Sequence, residues 1–116
     1  MWTQQEAIDL CIAIEAICPD YGCHVALTGG TLYKNGPRKD CDLLFYRIRQ
    51  IRQIDQQGLF AALAKIGVER KSGFGWVHKA SYGDLNIDMF FPEAPDGEYV
   101  RDAAVVTDLE AEPCAA

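Results

Sequence analysis

The sequence predicts an α+β domain in which helices pack on a mixed sheet, and three observations carry that prediction. Residues 40–46 and 84–91 alternate apolar with polar side chains at the strand period of two. Two other stretches carry helix signals: the capping box Thr3-Gln4-Gln5-Glu6, and Asp55 ahead of Leu59, Phe60 and Leu63. The order is helix, two strands, helix, then two or three further strands, with no linker to divide it.

At 116 residues the chain holds one domain with one core. Its 49% hydrophobic and 24% charged residues are those of an ordinary globular protein, which excludes a disordered or low-complexity chain. No window approaches the roughly 20 apolar residues of a membrane span. The opening Met1-Trp2-Thr3-Gln4 has no basic region leading an apolar one. The expectation is a cytoplasmic protein with no membrane partner.

Eleven Lys and Arg against seventeen Asp and Glu leave a net charge of −6. A general nucleic-acid coat is thereby excluded, because nonspecific binding rests on neutralising phosphates. All the basic residues precede position 102, so residues 102–116, with Asp102, Asp108, Glu110 and Glu112, read as an acidic tail to a domain of 1–101. The five cysteines are an odd number with no C-x-x-C pair, and Cys11, Cys18 and Cys41 lie in apolar stretches, as reduced core thiols do. Cys23-His24 as half of a zinc site lacks a second ligand pair at zinc spacing.

After the capping box, Ala7, Ile8, Cys11, Ile12, Ile14 and Cys18 form a helical stripe that Pro19 ends. Tyr21-Gly22 turns the chain, residues 23–28 read as a short apolar strand, and Gly29-Gly30 closes it. A polar, turn-rich stretch around Asn35-Gly36-Pro37 leads to the strand at 40–46. Asp55 caps a helix carrying Leu59, Phe60, Leu63 and Ile66, with Gly67 after its last turn. Residues 68–72 read as a strand, and 76–82 with 84–91 as a hairpin around Gly83.

The chemistry concentrates in two of these strands. Residues two apart in a strand share a face at about 6.6 Å, so Asp40 and Asp42 project together while Cys41, Leu43 and Phe45 face the other way. Two bare carboxylates at that range repel and raise each other's pKa. A divalent cation would relieve this, and Mg²⁺ prefers oxygen ligands that it shares with substrate phosphates. In residues 84–91, Leu85, Ile87, Met89 and Phe91 form an apolar face, with Asp84, Asn86 and Asp88 opposite. If this strand lies beside the first, Asp88 completes a three-carboxylate cluster suited to two-metal phosphoryl or nucleotidyl transfer. Gly29-Gly30 lets the backbone come close to phosphate oxygens. A solvated strand face would explain Asp40 and Asp42 taken alone, but the glycine pair upstream and Asp88 downstream favour the metal site.

Gly29-Gly30-Thr31, then Asp40-Cys41-Asp42 in a hydrophobic strand and a later Ile87-Asp88-Met89-Phe90, resemble the nucleotidyltransferase superfamily of polymerase-beta-like fold. With Arg38 just before the acidic pair, the pattern is most similar to the minimal and abortive-infection-type bacterial enzymes of toxin–antitoxin systems. The resemblance spans residues 3–91. It implies a mixed sheet flanked by helices, an NTP such as ATP bound with Mg²⁺ (two ions), and transfer of NMP to an acceptor hydroxyl on protein, RNA or a small molecule. By position, Gly29, Gly30 and Thr31 would hold triphosphate, and Asp40, Asp42 and Asp88 would bind metal, Asp88 alternatively serving as general base. Thr31 stands where the family often has Ser and keeps the hydroxyl.

Arg38 and Lys39 flank this site as candidate phosphate contacts. Arg47, Arg49 and Arg52 could steer a phosphate-rich acceptor such as tRNA, or form a solvated ridge. Phe74 and Trp76 read as core aromatics and His78 as a surface strand histidine. The helical second domain that many members of the superfamily carry is missing. A protein partner could therefore supply acceptor recognition. The alternative reading is a catalytically silent binding module acting as inhibitor, antitoxin or accessory subunit.

Overall fold

The computed structural model describes residues 1–30 and 36–93. Thr31, the candidate triphosphate contact, and the acidic tail with Cys114 lie outside the described residues. Helix α1 (Gln4–Glu15) opens on a capping box closed in both directions: the Glu6 N–H donates to Thr3 Oγ1 at 3.1 Å and the Thr3 N–H donates to Glu6 Oε1 at 2.9 Å. Its buried residues are Ala7, Leu10 and Ile14, whereas Ile12 of the expected stripe is exposed. The helix carries apolar side chains on more than one side, and the sheet beneath decides which of them are covered.

A 3-10 turn (Cys18–Tyr21) containing Pro19 ends at Gly22, φ 85°, and feeds β1 (Cys23–Thr28). Strand β2 (Asp40–Arg47) precedes α2 (Gln56–Ala64), which Asp55 caps by accepting the Gly58 N–H at 3.0 Å. Then come β3 (Val68–Phe74), β4 (Val77–Tyr82) and β5 (Leu85–Phe90). The strands form one sheet in the order β1-β2-β5-β4-β3. The β2–β5 pair is parallel and the other three pairs are antiparallel. The hairpin expected at Gly83 is present. A second at Gly75, φ 63°, lets β3 run to Phe74 rather than stop at Ser72.

Strand alternation separates two faces. Cys23, Val25, Cys41, Leu43, Phe45, Ala80, Ile87 and Met89 are buried on one of them, in the same core as Ala7, Leu10 and Ile14 of α1 and Leu59 and Leu63 of α2. Phe91 stacks on Phe45 with centroids 4.6 Å apart and meets the edge of Phe60 at 5.6 Å. Burying each of these large side chains contributes about 1.5–3 kcal/mol. The other face carries Asp40, Asp42, Asn86, Asp88 and Lys79, and none of these is buried.

Two expectations about aromatic and imidazole rings are corrected here. His78 is not a surface residue: it is 8% exposed and sits on the core face, 5.1 Å from the Phe60 ring and 5.3 Å from the Phe91 ring. Arg70 Nε donates to its Nδ1 at 2.9 Å, and burial and the Arg70 charge hold its pKa below the ordinary value. Phe74 and Trp76 are not core residues. They flank the Gly75 turn, and Phe74 is 84% and Trp76 37% exposed. The thiols of Cys18, Cys23 and Cys41 are buried and that of Cys11 half-buried, all unbridged. His24 pairs with Glu15 at 2.7 Å rather than with a second thiol. Among the described residues, no helix is long and apolar enough to cross a membrane.

Candidate active site

The open face gains its chemistry from strand register. Thr28 lies opposite Asp42, Asp42 beside Asp88, Asp88 opposite Lys79, and Lys79 opposite Ser72. One residue from each strand thus forms a row across the whole sheet: hydroxyl, carboxylate, carboxylate, ammonium, hydroxyl. Neighbouring strands are about 4.8 Å apart, so Asp42 and Asp88 stand as close as backbone pairing allows. Asp40 lies two residues before Asp42 on the same face, paired in register with Asn86.

This crowding is visible in the protonation of Asp42. Burial, then Asp88, then Asp40 push its pKa above the ordinary carboxylate value, and Lys79 partly offsets them. Lys79 Nζ lies 2.8 Å from Asp88 Oδ1, with side-chain exposures of 58% and 15%. That hydrogen bond and the Asp88 charge raise the Lys79 pKa.

The glycine pair lies directly against this row. Gly29 has φ 73°, in the left-handed region, and a Cβ there would collide with the Asp42 carboxylate. A Cβ on Gly30 would come within 2.7 Å of Arg38 Nε. Gly29 is therefore needed for conformation, and a methyl on Gly30 would have to displace the Arg38 side chain. Arg38 Nε is buried with no hydrogen-bond partner among the described residues. A buried guanidinium nitrogen with unused donor capacity is a ready anion contact. Lys39 is exposed beside Asp40.

Trp2 fixes this corner, and sequence reasoning passed over it. Its backbone pairs with Arg38 in both directions, at 2.7 and 2.8 Å, and its indole N–H donates to the Asn86 carbonyl at 2.6 Å. One residue thereby ties the approach to β2 to the strand that carries Asp88. The available signal was a large aromatic immediately before the cap, with Ala7 at the fourth helical position, which is a hydrophobic staple. Elsewhere, Arg47 spends its guanidinium on the Ile51 carbonyl, and Arg49 and Arg52 are exposed, away from the carboxylates.

The donor set of Asp40, Asp42 and Asp88 consists of carboxylate oxygens, which suits a hard divalent cation. Among the described residues, however, no three such groups converge at coordinating range. The three carboxylates share a face, Asp42 and Asp88 at one level and Asp40 two residues before Asp42, but Asp88 is turned toward Lys79.

No family model matches the sequence, and no curated protein does. The Cid1 poly(U) polymerase, in crystal structures concerned with UTP selectivity and with Mg and 3′-dATP bound, matches with a TM-score of 0.52 and 19% identity, over 76% of this chain and 30% of that one. A cytoplasmic RNA terminal U-transferase matches with a TM-score of 0.49 and 18% identity, over 74% of this chain and 28% of that one. This chain thus spans less than a third of the length of either neighbour. At such identity the likeness is one of fold, and it agrees with the fold expected from the motifs: a small α+β domain, with a five-stranded mixed sheet and two helices, of nucleotidyltransferase-like architecture.

Proposed function

We propose that this chain is a Mg²⁺-dependent nucleotidyltransferase, passing NMP from an NTP to an acceptor hydroxyl and releasing pyrophosphate. The observation that carries the proposal is the pairing of Asp42 with Asp88 at one level on adjacent parallel strands, with Asp40 on the same face and Gly29 packed against Asp42. Burial, Asp88 and Asp40 raise the pKa of Asp42, and a cation bound there would offset the repulsion between these carboxylates.

In this reading Asp40, Asp42 and Asp88 hold the metal. Bound there, Mg²⁺ would supply charge neutralisation for the α-phosphoryl group and the departing pyrophosphate. Gly29 and Gly30 admit the triphosphate close to the backbone, with Thr31 as a hydroxyl contact and Arg38 and Lys39 as cationic ones. The acceptor oxygen forms its bond to the α-phosphorus as the bond to the β-phosphate oxygen breaks. The hydroxyl proton leaves to Asp88 or to solvent.

The poly(U) polymerase of similar fold makes UTP the first nucleotide to test and an RNA 3′ hydroxyl the first acceptor. A protein partner that supplies acceptor recognition belongs to this reading. Gly29-Gly30-Thr31 with Arg38 supports the finer assignment to the minimal and abortive-infection-type enzymes. Nothing among the described residues favours the silent binding module.

Calorimetric titration of UTP, ATP, GTP and CTP, with and without Mg²⁺, tests the site in the wild type and in the Asp40→Ala/Asp42→Ala variant. Mg²⁺-dependent binding of at least one nucleotide, lost in the variant, is expected. α-Labelled nucleotide would then report transfer to RNA. Silence from all four nucleotides would overturn the proposal.

A further inference from the structure

Lys79 is the one charged group that the sequence reading left unassigned on the reactive row. It lies directly opposite Asp88 in the β4–β5 ladder, and its ammonium holds Asp88 Oδ1 at 2.8 Å. No metal-binding group of three is assembled among the described residues, although three carboxylates occupy neighbouring positions.

We propose that Lys79 is a positioning residue that competes with the divalent metal for Asp88, holding the third carboxylate in reserve until a metal displaces the ammonium. The inference rests on the reading of Asp40, Asp42 and Asp88 as metal ligands. The chemistry of lysine suits the task. Its charge is compact and sits on a flexible four-carbon stem, so it can swing away without moving the strand. The ammonium end of the pair is exposed, which leaves it weak enough for a divalent ion to displace. While it lasts, the pair also relieves part of the repulsion that Asp42 and Asp88 would otherwise exert on each other. The device keeps the domain compatible with an empty site and makes metal entry conditional on a charge exchange.

The test is Mn²⁺ binding, read by the loss of the free-ion electron paramagnetic resonance signal, without nucleotide and on the full chain. Lys79→Met keeps the apolar stem and should bind Mn²⁺ at least about threefold more tightly than wild type, the scale of removing an exposed competing pair. Lys79→Gln serves as a second neutral variant, and circular dichroism checks that each variant folds. Lys79→Arg retains the competing charge and should stay near wild-type affinity. In an Asp88→Asn background the Lys79→Met gain should vanish. Equal or weaker binding in both neutral variants, a gain in Lys79→Arg as large as in Lys79→Met, or a gain that survives Asp88→Asn would each overturn the competition. Failure of every protein, wild type included, to bind Mn²⁺ would instead overturn the metal-site reading and this inference with it.

Discussion

Asp42 is placed where its charge is unwelcome, half-buried with one acid beside it on β5 and another two residues before it on β2. A carboxyl whose pKa is raised on folding binds its proton more tightly in the native state. Its contribution to stability is therefore complete below its ordinary value of 3.8 and is lost as pH rises through the folded value. Without metal at neutral pH, Asp42→Asn should accordingly raise the thermal midpoint while abolishing Mg²⁺-dependent nucleotide binding. The stability gain should shrink as the pH falls toward 3.8; melting curves across that range check both sign and window. Gly29 makes the opposite case, since an added methyl meets both a left-handed backbone and the Asp42 side chain. Gly29→Ala should lose about 1–3 kcal/mol in chemical denaturation. An unchanged midpoint would show that Asp42 can step aside.

At the scale of elements, strands β2 and β5 were legible because one covered face and one open face imprint a period of two. Cys41, Leu43 and Phe45 alternate with Asp40, Asp42 and Leu44, and the structure buries the first set. Helix α1 was legible in its cap but not in its buried side, since Ile8, Leu10, Cys11 and Ile12 spread apolar surface around the axis. His78 and Phe74 were misassigned for a related reason: ring type says little about which face of a hairpin the helices cover. Strand β1 is an edge, and α1 protects it. The Val25 N–H donates to Glu15 Oε1 at 3.0 Å, while Glu15 Oε2 lies 2.7 Å from His24 Nδ1. Glu15→Ala frees an edge donor and should cost about 1–3 kcal/mol of stability. Light scattering on warming should also show earlier aggregation, as unprotected edges promote.

For the whole molecule, the sequence specified which strands exist but not their order. Alternation fixes a strand's faces and leaves its neighbours open, so the meeting of Asp42 and Asp88 followed from motif resemblance rather than from periodicity. The pairing of Lys79 with Asp88 follows from the hairpin expected at Gly83, but the extension of the row to Ser72 was hidden, because it depends on a second hairpin at Gly75. The role of Trp2 was equally hidden, since its partners, Arg38 and Asn86, lie far away in the sequence.

The β2–β5 pairing also has a kinetic meaning. Asp42 and Asp88 are 46 positions apart, and the strands joining them in parallel cannot zip from a tight turn as the β3–β4 and β4–β5 hairpins can. The hairpins close short loops, whereas this pair must wait for a long one, and non-local pairings of that kind set the pace of folding. The carboxylate pair should therefore be among the last features to appear. In stopped-flow refolding, recovery of Mn²⁺ binding should track the slowest phase of tryptophan fluorescence rather than the early gain of circular dichroism. A chain caught before that step would hold most of its strands and none of its reactive centre.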